Sequence, residues 1–129
     1  MDIDISVYAD IYEYMETTAR ILKALSEEAR LRILVLLMSG ERCVCELMAV
    51  LEMPQSTISR HLSYLKNTGW VKGERRGVWM YYRLADDMDG FQDELLKILK
   101  QRLADTERVR NDNDKLLSFL EGAVKTVCG

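Results

Sequence analysis

Histidine and proline each occur once in this 129-residue chain, and cysteine three times. Three cysteines, two of them one residue apart, cannot make the disulfide framework of a small secreted domain. They suit a cytoplasmic protein whose thiols stay reduced. Long hydrophobic runs are also missing. The longest uncharged apolar run is 33–38, far short of a membrane span, and the acidic start MDIDIS carries no secretory hydrophobic region. A membrane partner is therefore not expected. Apolar residues nevertheless make up 48% of the chain, enough for one hydrophobic core and too many for a disordered tail. No repeat, low-complexity tract or interdomain linker divides the sequence, so 1–129 reads as a single domain.

An excess of positive charge is absent overall, since the net charge is -3. The distribution is more informative. Within 54–83 lie Arg60, Lys66, Lys72, Arg75, Arg76 and Arg83 against Glu74 alone, a local charge of +5 that leaves -8 for the remainder. An acidic body with one basic stripe draws phosphate to a single face, as a DNA-binding protein requires.

Apolar periodicity places the elements. Ile11, Met15, Leu22 and Leu25 mark a first helical region, with a break expected near Thr17 and Thr18. Ser26 is a candidate cap for a second helix through Leu31, Ile33, Leu34, Leu36 and Leu37, closed by Ser39 and Gly40. Its apolar residues on most sides predict the central core helix. A short helix over 44–51 turns inward Leu47, Met48 and Leu51. Glu52, Met53 and Pro54 form a turn, and proline placed there starts the next helix near Gln55. That helix runs to about Asn67, with Ile58, Leu62 and Leu65 on one face and Gln55, Ser56, Thr57, Ser59, Arg60 and Lys66 outside it. The pair is a helix-turn-helix over 44–67. From Trp70 the period shortens to two. Strands over 70–84, turned at Arg76-Gly77, give a two-stranded wing tipped with arginines. Beyond Asp86 come two helical stripes, Phe91, Leu95, Ile98, Leu99 and Leu103, then Leu116, Phe119, Leu120, Ala123, Val124 and Val127. A break is expected at 111–114. These stripes exceed what one small core needs, so 1–20 and 87–129 are expected to pair two subunits in a homodimer, the alternative being that they fold back on their own domain. The expected fold is mainly α with a two-stranded wing, a winged helix-turn-helix dimerised through its N- and C-terminal helices.

Three blocks carry a resemblance: LKALSEEARLRILVLL at 22–37, RCVCELMAVLEMPQSTISRHLSYLKNTGWV at 42–71, and RRGVWMYYRL at 75–84. In this order and spacing they span about half the chain, and the region 21–84 resembles the ArsR/SmtB family of winged-helix metalloregulatory repressors, nearest to its arsenic-sensing branch. The resemblance implies a symmetric dimer that places two recognition helices in successive major grooves of double-stranded operator DNA. It also implies repression, which residue patterns alone do not distinguish from activation. On it, Gln55, Ser56, Thr57, Ser59, Arg60 and His61 are DNA-facing candidates, nearly the set that periodicity leaves exposed. Gln55 suits an adenine edge and Arg60 a guanine edge or a phosphate. Ser56, Thr57 and Ser59 suit backbone positioning or a thymine methyl, with Ser56 or Thr57 alternatively a helix cap. His61 sits at the border of the apolar face, open to either a phosphate contact or a structural hydrogen bond. Arg75 and Arg76 suit flanking phosphates or the minor groove, and Lys66 completes the basic set.

Cys43 and Cys45 open the first helix of the helix-turn-helix, where unpaired backbone N–H groups favour a thiolate. Residues two apart diverge on a continuous helix, so their sulfurs converge only if its start is unwound. CVCEL is similar to the family's arsenite-sensing CVCDL, which implies arsenic(III) or antimony(III) as inducer, with no cofactor required for DNA binding. Arsenic sensors of this family often carry a third cysteine three residues after the second. Here that position is Met48, leaving Cys128 as the remaining candidate thiol ligand. Cadmium(II) at the cysteines and an oxidant or persulfide acting on them are the alternative inducers. A regulator with structural cysteines is a further one. Zinc or nickel sensing at the C-terminal helices fits poorly, since no histidine accompanies Asp93, Glu94, Asp105 and Glu107. An enzyme is not expected: no nucleophile, base and acid form a set, and the CxxC of thiol oxidoreductases is absent.

Overall fold

The computed structural model describes the backbone of residues 5–123 and the side chains of 13–122. Its elements are α1 (Ile5–Lys23), α2 (Glu28–Met38), β1 (Arg42–Cys43), α3 (Val44–Leu51), α4 (Gln55–Asn67), β2 (Val71–Arg76), β3 (Trp79–Leu84), α5 (Gly90–Leu103) and α6 (Glu107–Ala123). Helix α2 is the centre of the core. Its Ile33, Leu34, Leu36 and Leu37 pack with Leu47 and Val50 of α3, Ile58, Leu62 and Leu65 of α4, and Trp70. Each large apolar side chain buried there contributes about 1.5–3 kcal/mol, which fixes the helix-turn-helix to one frame. Trp70 is fully buried, and its indole N–H donates to the carbonyl of Ile21 at 3.1 Å, tying α1 to that frame.

Four boundaries differ from the sequence reading. Helix α1 runs unbroken past Thr17 and Thr18, because the Thr18 hydroxyl folds back onto the carbonyl of Tyr14 at 2.8 Å and so satisfies itself within the helix. The N-cap of α2 is Glu27 rather than Ser26, whose hydroxyl instead donates to the carbonyl of Lys23 at 2.7 Å. The C-terminal helices part at 104–106 and not at 111–114. The polar stretch at 111–114 is helical because Asp112 points inward and pairs with Arg32, both contacts at 2.9 Å. The sheet has three strands in the order β1-β3-β2 rather than two, since Arg42 and Cys43 pair with Tyr82 and Tyr81.

The wing hairpin closes with Arg76 opposite Trp79, and Gly77 at φ 64° supplies the left-handed turn residue. Between α3 and α4 the turn rests on Glu52, a non-glycine residue at φ 56°. Helix α6 packs on α3 and α2 through Val109, Asp112 and Leu116. Part of its stripe therefore does fold back onto its own domain. Tyr14, Met15 and Leu22 of α1, Ile98 of α5, and Leu117 and Leu120 of α6 remain exposed. Ile11 lies outside the described side chains, and Val124 and Val127 outside the described residues.

Candidate nucleic-acid interface and cysteine switch

Helix α4 presents the polar face that its periodicity predicts. Gln55, Ser56, Arg60 and Lys66 are exposed, and Thr57 and Ser59 half-buried, while Ile58, Leu62 and Leu65 hold the helix to the core. Pro54 occupies the N-cap position with extended backbone, so the first turn of α4 opens into solvent. His61 departs from this face. It is 5% exposed, and its Nδ1 lies 3.6 Å from a Glu27 carboxylate oxygen without a hydrogen-bond partner among the described residues. Burial pushes its pKa below the ordinary 6.5, with Glu27 opposing and Arg30 and Arg60 adding to the effect. His61 thus belongs to the packing between α2 and α4 rather than to the exposed face. Arg30 closes this cluster, donating to the carbonyl of Ala24 at 2.7 Å and stacking 4.3 Å over Tyr64.

The wing's basic residues are not equivalent. Arg75 is exposed and faces a cavity beside α4. Arg76 reaches back to Glu41 at 2.6 and 2.9 Å and to Glu74 at 3.0 Å, and lies 4.7 Å over the Tyr81 ring. Lys72 pairs with Asp86 at 2.7 Å and Asp87 at 3.3 Å, and Arg83 lies 3.8 Å from Asp86. The +5 segment is therefore partly compensated by acids just outside it, and Arg76 must exchange Glu41 for phosphate to touch DNA.

The two cysteines occupy different backbone states. Cys43 ends β1 with extended dihedrals (φ -73°, ψ 149°) and serves as N-cap of α3, whereas Cys45 is already helical. This kink at the helix start brings the sulfurs to one side, 2.6 Å apart, close enough for a direct sulfur–sulfur interaction. The Cys45 N–H donates to the Cys43 sulfur at 3.4 Å, and the Cys43 N–H donates to Glu46 Oε1 at 2.8 Å. This is a capping box with cysteine in the place of serine. Glu46 was visible in the sequence as the acid three residues after a cap, a signal the sequence reading did not use. Arg42 steadies it at 3.7 Å. Cys43 is buried, while Cys45 lies on a cavity of about 200 Å³ whose wall also includes Met48, Gln55, Ser59, Arg75, Met80 and Tyr82. Sequence reasoning missed Met80 and Tyr82 because they come from the wing, and only folding brings them to the cysteines. Among the described residues no three His, Cys, Asp or Glu side chains are grouped to hold a metal ion, and Cys128 lies outside those residues. Among the same residues no helix is long and apolar enough to cross a membrane.

Comparison with known proteins places this geometry. A family model described as bacterial regulatory protein, arsR family, matches residues 27–72. The arsenic resistance transcriptional regulator ArsR2 of Pseudomonas putida KT2440 is 42% identical over 88 residues, covering 67% of this chain and 76% of the relative. A homodimeric winged helix-turn-helix DNA-binding domain from Mycobacterium bovis, described as a possible ArsR-family regulator, superposes with a TM-score of 0.62 at 35% identity. The match covers 73% of this chain and 83% of that one. HlyU from Vibrio cholerae N16961 superposes with a TM-score of 0.63 at 28% identity, over 70% and 96% of the two chains. With its central α2, its helix-turn-helix and its arginine-tipped wing, the chain belongs to the ArsR family of winged-helix regulators.

Proposed function

We propose that this protein is a homodimeric, operator-binding repressor released from DNA when arsenite or antimonite takes both sulfurs of the Cys43–Cys45 turn. The observation that carries the reading is the double duty of Cys43. It is a wing-strand residue, paired with Tyr81, and the N-cap of α3, which packs on the recognition helix α4. Displacing its backbone shifts wing and helix-turn-helix together, and with them Glu41 and its partner Arg76. Gln55, Ser56, Thr57, Ser59 and Arg60 then supply the base and backbone contacts, with Lys66 and Arg75 on phosphates. Two recognition helices must keep the spacing of two half-sites, so a small shift in each subunit is enough to lose the operator. By reciprocity DNA weakens inducer binding by the same factor.

Exposed apolar residues on α1, α5 and α6 support pairing of the segments 1–20 and 87–129 across a dimer. Arsenous acid would exchange two hydroxides for two thiolates, each thiol proton leaving with a hydroxide as water. Met48 stands where a third cysteine would complete a three-thiolate site, so the third position falls to Cys128, water or a small thiol.

Two cysteines one residue apart at a helix start support a second reading, in which a hydroperoxide is the inducer: two thiols become a disulfide and the peroxide becomes water and an alcohol. One experiment separates the two. The reduced full-length protein is bound to its own upstream DNA and titrated with arsenite, cadmium, zinc and hydrogen peroxide, alongside Cys43→Ser, Cys45→Ser and Cys128→Ser. Release by arsenite that vanishes in the Cys43 and Cys45 variants supports the thiolate switch. Release by peroxide alone transfers the function to redox sensing, release by cadmium alone changes the inducer, and tight binding under every condition overturns the switch.

A further inference from the structure

The hairpin register sends the wing's two arginines to opposite faces of the sheet. Paired residues of an antiparallel sheet share a face, and consecutive residues alternate. Arg76 pairs with Trp79 and Glu74 with Tyr81, so Arg76 lies on the face where Glu41, Glu74 and the Tyr81 ring hold it. Arg75 pairs with Met80 and Gly73 with Tyr82, which turns Arg75, Met80 and Tyr82 toward α3 and α4. There they line a cavity of about 200 Å³ together with Gln55 and Ser59 of the recognition helix. Gly73 makes room for the Tyr82 ring, since a Cβ at that position would lie 2.8 Å from Tyr82 Cε1. Among the described residues no Asp or Glu lines this cavity, and the side chains of Gln55, Ser59, Arg75 and Tyr82 engage in no hydrogen bond or ion pair. Helix α4 starts beside it, and its N-terminus favours an anion, because Pro54 supplies no side-chain cap.

We propose that this cavity seats one phosphodiester of the operator backbone, with Arg75 as its counter-charge and the Ser59 and Tyr82 hydroxyls as hydrogen-bond donors. The inference rests on the reading of α4 and the wing as the DNA-binding surface, and on none of the cysteine chemistry. A helix in the major groove and a wing at the adjacent minor groove straddle the sugar–phosphate strand that divides the two grooves. That strand must cross between α4 and the wing, where the cavity lies. One cation and neutral donors without an acid suit a singly charged diester, whereas Arg76 on the opposite face already holds two carboxylates. Val78 and Met80 on the cavity wall give the deoxyribose an apolar contact. Gln55 lines the same cavity, so a phosphate fixed there sets the depth at which Gln55 meets a base edge. Tyr82 thereby acts as a positioning residue for sequence readout from the wing.

The test uses the reduced full-length protein and its own upstream DNA, with single neutral methylphosphonates placed in turn along each half-site. Wild type should lose affinity at a few positions, one of them the seat. Tyr82→Phe and Ser59→Ala should each weaken binding to unmodified DNA about 2–10-fold per subunit, the worth of one hydrogen bond, with the salt slope and thermal midpoint unchanged. Arg75→Ala should flatten that slope by about 1.8 per dimer, about 0.9 from each subunit. At the seat position the methylphosphonate should cost these three variants much less than it costs wild type, while Arg76→Ala keeps the full cost. Additive losses in all three variants at every position overturn the proposal, and coupling to Arg76 in place of Arg75 overturns the face assignment on which it stands. Saturable binding of inorganic phosphate without DNA at constant ionic strength, abolished by Arg75→Ala, would give the cavity to a free anion and overturn the backbone assignment. If wild type binds no DNA, the DNA-binding reading fails and takes the seat with it. If wild type binds and only the coupling is missing, the seat alone fails.

Discussion

Replacing Asp112 by alanine strips the partner from a buried arginine. The Asp112 carboxylate receives two hydrogen bonds from Arg32, from Nε and from one terminal nitrogen, both at 2.9 Å across 80 residues of sequence. Their side chains are 10% and 5% exposed, and the bond to Asp112 holds the Arg32 pKa above its ordinary value. The alanine variant leaves a largely buried guanidinium without its carboxylate, a loss of about 3–5 kcal/mol for a buried pair broken on one side. Urea denaturation at fixed protein concentration measures it, since a dimer's stability depends on concentration. With a slope near 1.5 kcal/mol per molar urea, the midpoint should fall by about 2–3 M. The double variant Arg32→Met/Asp112→Leu should recover most of that loss, because apolar side chains of similar size need no partner. A shift below about 1 kcal/mol for Asp112→Ala would place the pair among solvent-screened surface bridges and refute the account of why 111–114 is helical.

Three further outcomes follow from the site. Burial holds the His61 pKa below 6.5, so on acidification the unfolded chain takes up a proton before the folded one does. Its contribution is complete above about pH 6.5 and lost as the pH falls below it, so the urea midpoint of wild type should drop between pH 7.5 and 5.5 relative to His61→Gln; a constant difference would contradict this. A Cβ on Gly73 would meet Tyr82 Cε1 at 2.8 Å, so Gly73→Ala should cost about 1–3 kcal/mol of overpacking and weaken DNA binding through the wing, read as a thermal shift and as anisotropy. Arg60→Ala and Lys66→Ala should each flatten the slope of log affinity against log salt by about 1.8 per dimer, about 0.9 from each subunit, if they neutralise phosphates. An Arg60 variant that keeps its salt slope but loses base preference would instead assign that arginine to a guanine edge.

Periodicity and punctuation settled the helix-turn-helix before any coordinates. Pro54, Gly69 and the spacing of Ile58, Leu62 and Leu65 are local signals, and the observed α4 ends where they place it. Polarity misled where a partner lay far away in sequence. The stretch 111–114 looked like a loop because nothing local shows that Asp112 meets Arg32, and His61 stayed open until α2 brought Glu27 and Arg30 beside it. The third strand was hidden for the same reason: two residues carry no period, and β1 exists through its pairing with β3. The sequence by itself determined the basic stripe, the exposed face of α4 and the presence of two thiols at a helix start, because spacing and composition carry those properties. Tertiary structure decided that Cys43 belongs to both the wing and α3, that Arg76 leans on Glu41, and that Met80 joins Cys45 and Met48 around one cavity. Those are contacts between residues far apart in the chain, and only the closing of the core around α2 sets the distances between them.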